Sequence, residues 1–498
     1  MKELIRKSVF ILTLFVTVSQ AQEKKEIRTE EDAPLSKTQG KVTVNGKVID
    51  YTATTGYMIL RDEAGKSRGK MFFVYYQKDN EPDPSKRPIT FTFNGGPGSA
   101  SVWLHMGGLG PRRIEMSDPG IVMTPPYRVV ENEYTWLDET DLVFIDPIMT
   151  GYSRPAEGVD KKEFTGYVED IESVGQFIYL ATSRFQRWNS PKFLCGESYG
   201  TTRATGLSGH LQDRYGMYLN GVILVSSILN FQTARFNKGN DLPFILFLPT
   251  YSAISWYHKK TDPSYAQLKQ LLPEVEAFAL GEYANALMKG DRLTAQERQS
   301  VVDKLHRFTG LDKEFIGQTN LRIDIGQFVK ELRRRDGLTV GRLDGRFTGM
   351  DYDDAGERYE FDPSNTAITG PFSMAINDYV RRTLKYSNDI PYEVLGNRVA
   401  PWNYNNVQNQ YLNTGETLRQ AIHKNPALKV LICNGYYDLA TPYYATDYTV
   451  NHLFVDPTLR GNISQTFYEA GHMMYIHMPS LQKLKKDVSE YYQKTLKK

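Results

Sequence analysis

Lys192-Phe193-Leu194-Cys195-Gly196-Glu197-Ser198-Tyr199-Gly200 is a short apolar run that passes straight into the pattern Gly-x-Ser-x-Gly. A helix-compatible stretch, 201–214, follows. A buried strand that turns sharply into a helix can lift a serine hydroxyl above the edge of a sheet. Such a turn holds the serine in a strained backbone conformation, and neighbours without a Cβ let strand and helix close around it. The stretch therefore predicts a buried strand with Ser198 at its end as a candidate nucleophile.

Outward from this point, strands and helices alternate. Residues 89–93 read as a strand ending in Asn94-Gly95-Gly96-Pro97-Gly98, and 142–145 as one ending in Asp146-Pro147. Further strands are expected at 222–225, 428–433 and 464–468. Residues 167–188 have helical periodicity, with Val168, Ile171, Val174, Phe177, Ile178 and Leu180 on or near one face. Alternation of this kind builds a mostly parallel sheet with helices on both faces. Before it, 41–76 reads as antiparallel hairpins, one turning at Asn45-Gly46. From 231 to 396 the strand signal fades into helix-like segments at 265–287, 294–307 and 323–335, with a Gly-, Asp- and Arg-rich loop at 336–362. The organisation expected is an α/β core, 41–230 and 397–498, interrupted by a mainly helical cap insertion, 231–396. Such an insertion would lie over the C-terminal edge of the strands, where open α/β sheets bind ligands.

A serine hydroxyl needs a base within hydrogen-bond reach, and the base needs a third group to fix its tautomer. In the α/β-hydrolase fold these follow in the order Ser, Asp or Glu, His. The strand at 428–433 leads to Asp438 and the strand at 464–468 leads through Glu469-Ala470-Gly471 to His472. Ser198, Asp438 and His472 are the candidate catalytic residues. Other readings exist for each part. Gly-x-Ser-x-Gly also occurs by chance, Asp438 can bond its own turn, and among the eight histidines His477 is the nearest competitor. His472 is preferred because it follows a predicted strand and a glycine. Developing charge on a carbonyl oxygen needs N–H donors. The residue after the nucleophile, Tyr199, supplies one, and the loop Asn94 to Gly98 is the candidate for the other. Read as a phosphate loop instead, that stretch lacks the lysine and the glycine spacing.

Together, Phe93-Asn94-Gly95-Gly96-Pro97-Gly98-Ser99, Gly196-Glu197-Ser198-Tyr199-Gly200, the Asp438 segment and Ala470-Gly471-His472-Met473 resemble the serine carboxypeptidases (peptidase S10). Tyr134-Thr135-Trp136 through Asp146-Pro147 to Thr150-Gly151-Tyr152-Ser153 is similar to the family segment between oxyanion loop and elbow. The resemblance implies an α/β-hydrolase fold and release of C-terminal amino acids from peptides through an acyl-enzyme. It further implies that Gly96 and Tyr199 form the oxyanion hole, and that Asn94, Gly95 and Glu197 bind the substrate's terminal carboxylate. Two carboxyl groups that share a proton bind only while one is protonated, so acidic pH is expected to favour binding. The chain departs from the family where a second glutamate often precedes Leu109-Gly110-Pro111; here the residue is Gly108. A group from the insertion, Arg112 or Arg113 are the candidates to replace it. An esterase or acyltransferase would use the same acyl chemistry. An exported binding protein with a decayed site would lack a triad member, and none is missing.

The bulk composition agrees with an exported globular enzyme. The chain has 498 residues, 40% hydrophobic and 12% aromatic, and a net charge of +2, which gives no electrostatic reason to expect nucleic acid. Residues 1–21 combine a basic start, an apolar run and small residues at Ser19-Gln20-Ala21, the pattern of a secretory signal peptide. The apolar run is shorter than the roughly 20 residues a membrane span needs. Residues 22–40 are polar and read as a flexible N-terminus. No metal or cofactor is expected, because the sequence holds no His-Glu-x-x-His and no Cys/His cluster. The two cysteines, Cys195 and Cys433, lie in separate strand-like runs and read as buried thiols, with a disulfide between them as the alternative that an exported protein allows.

Overall fold

The computed structural model describes residues 34–119 and 123–497. The predicted signal segment, 1–21, lies outside the described residues. Strands β1 (Ser36–Val44), β2 (Lys47–Arg61) and β3 (Ser67–Lys78) open a large sheet. The strands β4 (Ile89–Phe93), β5 (Asp141–Ile145), β6 (Lys192–Ser198), β7 (Gly221–Ser227), β8 (Lys429–Gly435) and β9 (Ile463–Tyr468) complete its main path. The order across it is β1-β2-β3-β5-β4-β6-β7-β8-β9. The first three strands pair antiparallel, and β3 pairs antiparallel with β5. Every pair from β5 to β9 is parallel. The hairpin between β1 and β2 turns at Asn45 and Gly46, both with positive φ, as a tight two-residue turn requires.

The first strand begins at Ser36, inside the 22–40 stretch expected to be flexible. Its outer half buries little, so its own side chains give no strand signal. It is ordered by backbone pairing with β2, in register from Ser36 opposite Thr55 to Val44 opposite Lys47.

Side chains alternate across the sheet and feed two cores. Phe73, Leu194 and Leu224 pack on one face against helices α1 (Tyr167–Arg184), α2 (Tyr199–Tyr215) and, later in the chain, Gly415–Lys424. Phe72, Phe193 and Cys433 pack on the other against Pro363–Arg382 and Met478–Leu496. On α1 the expected apolar face holds at Ile171, Val174, Phe177 and Ile178, whereas Val168 points to solvent. Cys195 and Cys433 are buried free thiols. They stand on β6 and β8 with β7 between them, about 10 Å apart at strand spacing, too far for a disulfide.

Between β7 and β8 a third core gathers helices that include Leu242–Tyr257, Leu268–Phe278 and Ala295–Thr309. This cluster also takes in Tyr437 and Leu439, which flank Asp438. The helix Pro363–Arg382, within the stretch read as cap, packs instead on the sheet core through Ile368, Phe372 and Ile376. Among the described residues no helix is long and apolar enough to cross a membrane.

One buried ion cluster ties the end of the sheet away from these insertions. Asp141, at the start of β5, accepts from Arg87 Nε at 2.7 Å and from Arg187 Nη1 at 2.5 Å, all three buried. Arg187 also donates to the Tyr75 hydroxyl and the Arg87 carbonyl. Removing the shared carboxylate would leave buried Arg187 without a counter-ion and Arg87 with only the more distant Glu81, 4.0 Å away. Asp141→Asn is expected to cost about 3–5 kcal/mol of stability, read as a lower urea midpoint, with the folded protein's activity unchanged.

Candidate active site

Four strand ends meet on one edge. The loop Asn94 to Gly98 leaves β4, Ser198 ends β6, Asp438 lies just beyond β8 and His472 just beyond β9. Parallel pairing in register brings these ends level, with Phe93 opposite Gly196 and Gly435 opposite Tyr468.

Ser198 has φ 60° and ψ −129°, a conformation that L residues seldom adopt. The turn is held by contact of backbone on backbone. A Cβ on Gly196 would lie 2.0 Å from the Gly200 carbonyl oxygen, and one on Gly200 would lie 2.7 Å from the Phe93 carbonyl oxygen. Helix α2 starts at Tyr199, so the Tyr199 N–H belongs to the first turn, whose donors have no partner within the helix. The Asn94–Gly98 loop lies against that donor, since a Cβ on Gly95 would lie 2.4 Å from the Tyr199 nitrogen. A helix N-terminus carrying free N–H groups is suited to a developing negative charge.

Behind His472 stands Asp438, fully buried. The Asp438 Oδ2 accepts from His472 Nδ1 at 2.8 Å and from the Thr441 hydroxyl at 2.7 Å. Its Oδ1 accepts from the backbone N–H groups of Ala440 and Thr441. A carboxylate only accepts, so Nδ1 carries the proton and Nε2 is left as the basic nitrogen. Burial alone would depress the His472 pKa; the charge and hydrogen bond of Asp438, helped by Glu197, outweigh it and raise the pKa above its ordinary value. The ring's own backbone is fixed twice: its N–H donates to the Leu343 carbonyl at 2.7 Å, and its carbonyl accepts from the Ser226 hydroxyl at 2.6 Å.

Glu197 is buried beside this ring. Asn94 Nδ2 donates to Glu197 Oε1 at 2.9 Å, and the Tyr475 hydroxyl donates to Oε2 at 2.5 Å. The Asn94 amide is itself oriented by the Leu104 N–H, which donates to its Oδ1. Burial pushes the Glu197 pKa up to about 7, although His472, Tyr475 and Asn94 pull the other way. Glu197 is thus a carboxyl group that can hold a proton close to neutrality.

Asn94, Gly95, Gly96, Glu197, Ser198 and His472 line one cavity of about 330 Å³. An adjoining cavity of about 150 Å³ shares Gly96 and Ser198 and is walled by Tyr199, Phe231, Phe247 and Tyr404. Asn94, Gly95, Gly96, Glu197, Ser198, Tyr199 and His472 therefore converge on the two cavities, with Asp438 behind the histidine. Arg112 and Arg113 do not reach the site. They pair with Glu131 and Glu133 on the flank. The competitor His477 bonds Ser480 instead. Within 231–396, Phe231 and Phe247 line the smaller cavity, while Trp256 and Tyr257 line a different pocket.

Three groups were not singled out from the sequence. Tyr475 covers the position where the second glutamate is absent: Cβ atoms on Gly107 and Gly108 would lie 2.3 Å and 2.9 Å from its side chain. Arg203 sits beneath the elbow, paired with buried Asp170 at 2.7 Å, donating to the Asn94 carbonyl at 2.6 Å and stacked over Phe93 and Tyr199. Arg342, from the cap loop, lines both cavities. The only signal for Tyr475 was its place in the His472 loop; Arg203 and Arg342 carried none.

A parallel sheet flanked by helices, with a strained serine at a strand-to-helix turn and an Asp–His pair at later strand ends, defines the α/β-hydrolase class. Within it, the serine carboxypeptidase family model matches residues 44–477, and the chain belongs to that family. Serine carboxypeptidase 24 of Arabidopsis thaliana is 22% identical over 223 residues, which is 44% of each chain. Carboxypeptidase Y homolog A of Neurospora crassa is 29% identical over 131 residues, 26% of this chain and 21% of that one. The matched stretches thus span less than half of these curated relatives. Among solved structures, Kex1Δp, a prohormone-processing carboxypeptidase from Saccharomyces cerevisiae, superimposes with a TM-score of 0.57 at 17% identity, covering 89% of this chain and 91% of that one.

The Asp438–His472 geometry carries a direct expectation. Asp438→Asn presents an amide N–H to the ring and favours the tautomer that leaves Nε2 protonated. Turnover should fall by roughly 10⁴-fold while the circular dichroism spectrum and melting temperature indicate a folded protein.

Proposed function

We propose that this protein is a serine carboxypeptidase that removes the C-terminal residue of peptides. Ser198 Oγ attacks the last peptide carbonyl while His472 Nε2 takes its proton. The N–H groups of Gly96 and Tyr199 receive the oxyanion. His472 then gives the proton to the departing amine, the C–N bond breaks, and the free amino acid leaves. A water molecule, activated by the same nitrogen, attacks the acyl ester and restores Ser198.

The observation that carries this reading is the Asn94–Glu197–Tyr475 group in the same cavity as Ser198. A plain esterase has no need of a buried, protonatable carboxyl group beside its nucleophile. The terminal carboxylate of a peptide does need one, together with the Asn94 amide and the Gly95 N–H. Tyr475 takes the place of the second acidic partner by covering Gly107 and Gly108 and bonding Glu197. Export follows from the composition of residues 1–21 and suits an enzyme that meets peptides outside the cytoplasm.

The sign of the pH dependence follows from Glu197. Its pKa is raised to about 7, so it is neutral and donates to the substrate carboxylate below that pH. Above it, two carboxylates face each other and binding weakens. N-blocked dipeptides should release free C-terminal amino acid, with a KM flat on the acidic side and rising above about pH 7. Glu197→Gln should make KM insensitive to pH. Tyr475→Phe removes a bond that stabilises the charged form, so the rise should move to higher pH. Absence of any released amino acid from pH 4 to 9, with ester substrates still turned over, would mark the chain as an esterase instead.

A further inference from the structure

The two cavities that meet at Ser198 have different chemistry. The larger one holds Asn94, Gly95 and Glu197, and so takes the leaving residue with its free carboxylate. The smaller one, on the other side of Ser198 and Gly96, must then take the residue that precedes the scissile bond. Its walls are Phe231, Phe247 and Tyr404; its charged residues are Arg235, which lines this cavity and not the larger one, and Arg342, which stands between the two and lines both. No aspartate or glutamate lines it.

Several arginines of the same stretch are already neutralised by carboxylates: Arg322 pairs with Asp241, Arg333 with Asp336, Arg334 with Glu331 and Arg346 with Asp344. Among the described residues, neither Arg235 nor Arg342 has a carboxylate at ion-pair distance. Arg235 is exposed, with its guanidinium stacked 5.3 Å from the Phe231 ring centroid, and it lines the cavity together with Tyr404. Arg342 is half-buried, and its backbone is pinned on both sides. Its N–H donates to Asp362 Oδ1 at 3.1 Å, and its carbonyl accepts from the Leu439 N–H at 3.0 Å. The next residue, Leu343, accepts from the His472 N–H. Arg342 is therefore carried on a loop fastened to both triad segments, and its side chain enters the cleft from a fixed point. A guanidinium that lines a cleft without a carboxylate partner is available to one that a ligand brings.

We propose that Arg342, assisted by Arg235, makes this a subsite for an acidic side chain, so that the enzyme prefers substrates with glutamate or aspartate just before the bond it cuts. The carboxylate would meet the two guanidinium groups while the methylene carbons lie against Phe231 and Phe247. A lysine or arginine at that position would be repelled. This inference rests on the carboxypeptidase reading above, because that reading decides which cavity receives which residue.

The test is a set of N-blocked dipeptides with a constant C-terminal leucine, preceded by glutamate, glutamine, leucine or lysine, assayed at pH 6. Glutamine matches glutamate in shape, so the Glu/Gln ratio of kcat/KM isolates the charge. The ratio should be at least about tenfold in the native enzyme, should fall with added salt, and lysine should be the poorest of the four. In Arg342→Gln the ratio should drop toward one, and in Arg235→Gln it should fall part of the way. Because the ratio is taken within one protein, partial loss of folded enzyme cancels. Turnover of the leucine and glutamine substrates with a Glu/Gln ratio near one would overturn the acidic subsite and leave the carboxypeptidase reading intact. A ratio that survives Arg342→Gln combined with Arg235→Gln would also overturn it. Release from none of the four would remove both.

Discussion

The site depends on one close contact: the elbow at Ser198 is packed backbone against backbone. Gly196 and Gly200 approach each other too closely for any Cβ, and Gly200 in turn lies against the Phe93 carbonyl at the end of β4. This contact forces the strained Ser198 conformation, and it also sets the Asn94–Gly98 loop beside the Tyr199 N–H. Ser198 and the N–H groups of the proposed oxyanion hole are thus positioned by the same steric fact. Strain of this kind, of order 1–3 kcal/mol, persists only where the surroundings leave no alternative. Here they include the parallel neighbours of β6 and the buried Arg203–Asp170 pair beneath the turn.

The cap contributes more than cover. Its segment Gly341 to Arg346 is hydrogen-bonded to both loops that carry the remaining triad residues. Arg342 accepts from Leu439, Leu343 accepts from His472, and Gly345 donates to Tyr437. Asp344 Oδ2 accepts from the Gly471 N–H while its carboxylate pairs with Arg346, which in turn donates to the Glu469 carbonyl. The spacing of Asp438 and His472 is consequently a property of cap and core together. The proposed acidic subsite would therefore be coupled to the geometry of the Asp438–His472 pair through this loop, since Arg342 lines the cleft and Leu343 accepts from the His472 N–H.

Much of this was readable in the chain because the chemistry sits at strand ends, and strand ends are marked locally. Apolar runs stopping at Asn94-Gly95 and Gly196-Glu197-Ser198, and the strand pattern at 464–468 ahead of Gly471-His472, located the edge of the sheet, and the order of Ser198, Asp438 and His472 followed. What escaped was held by contacts remote in sequence. Tyr475 matters because it lies over Gly107 and Gly108 and reaches Glu197, and nothing in the residues around it predicts that. The segment 336–362 has no period, so its fastening to the triad loops was invisible. The strand at Ser36–Val44 has a polar outer half and is ordered by its partner. The helix Pro363–Arg382 carries apolar residues that seat it on the sheet, although it lies within the stretch assigned to the cap.

The central claim is that the clamp around Glu197 makes a free terminal carboxylate the mark of a substrate. It is tested most directly with one peptide in two forms, free acid and C-terminal amide, each followed by mass spectrometry beside a Ser198→Ala control. The free acid should lose residues one at a time from its C-terminus, the amide should stay intact over the same period, and the control should leave both untouched. Equal cleavage of the amide, or cleavage within the chain, would contradict the assignment.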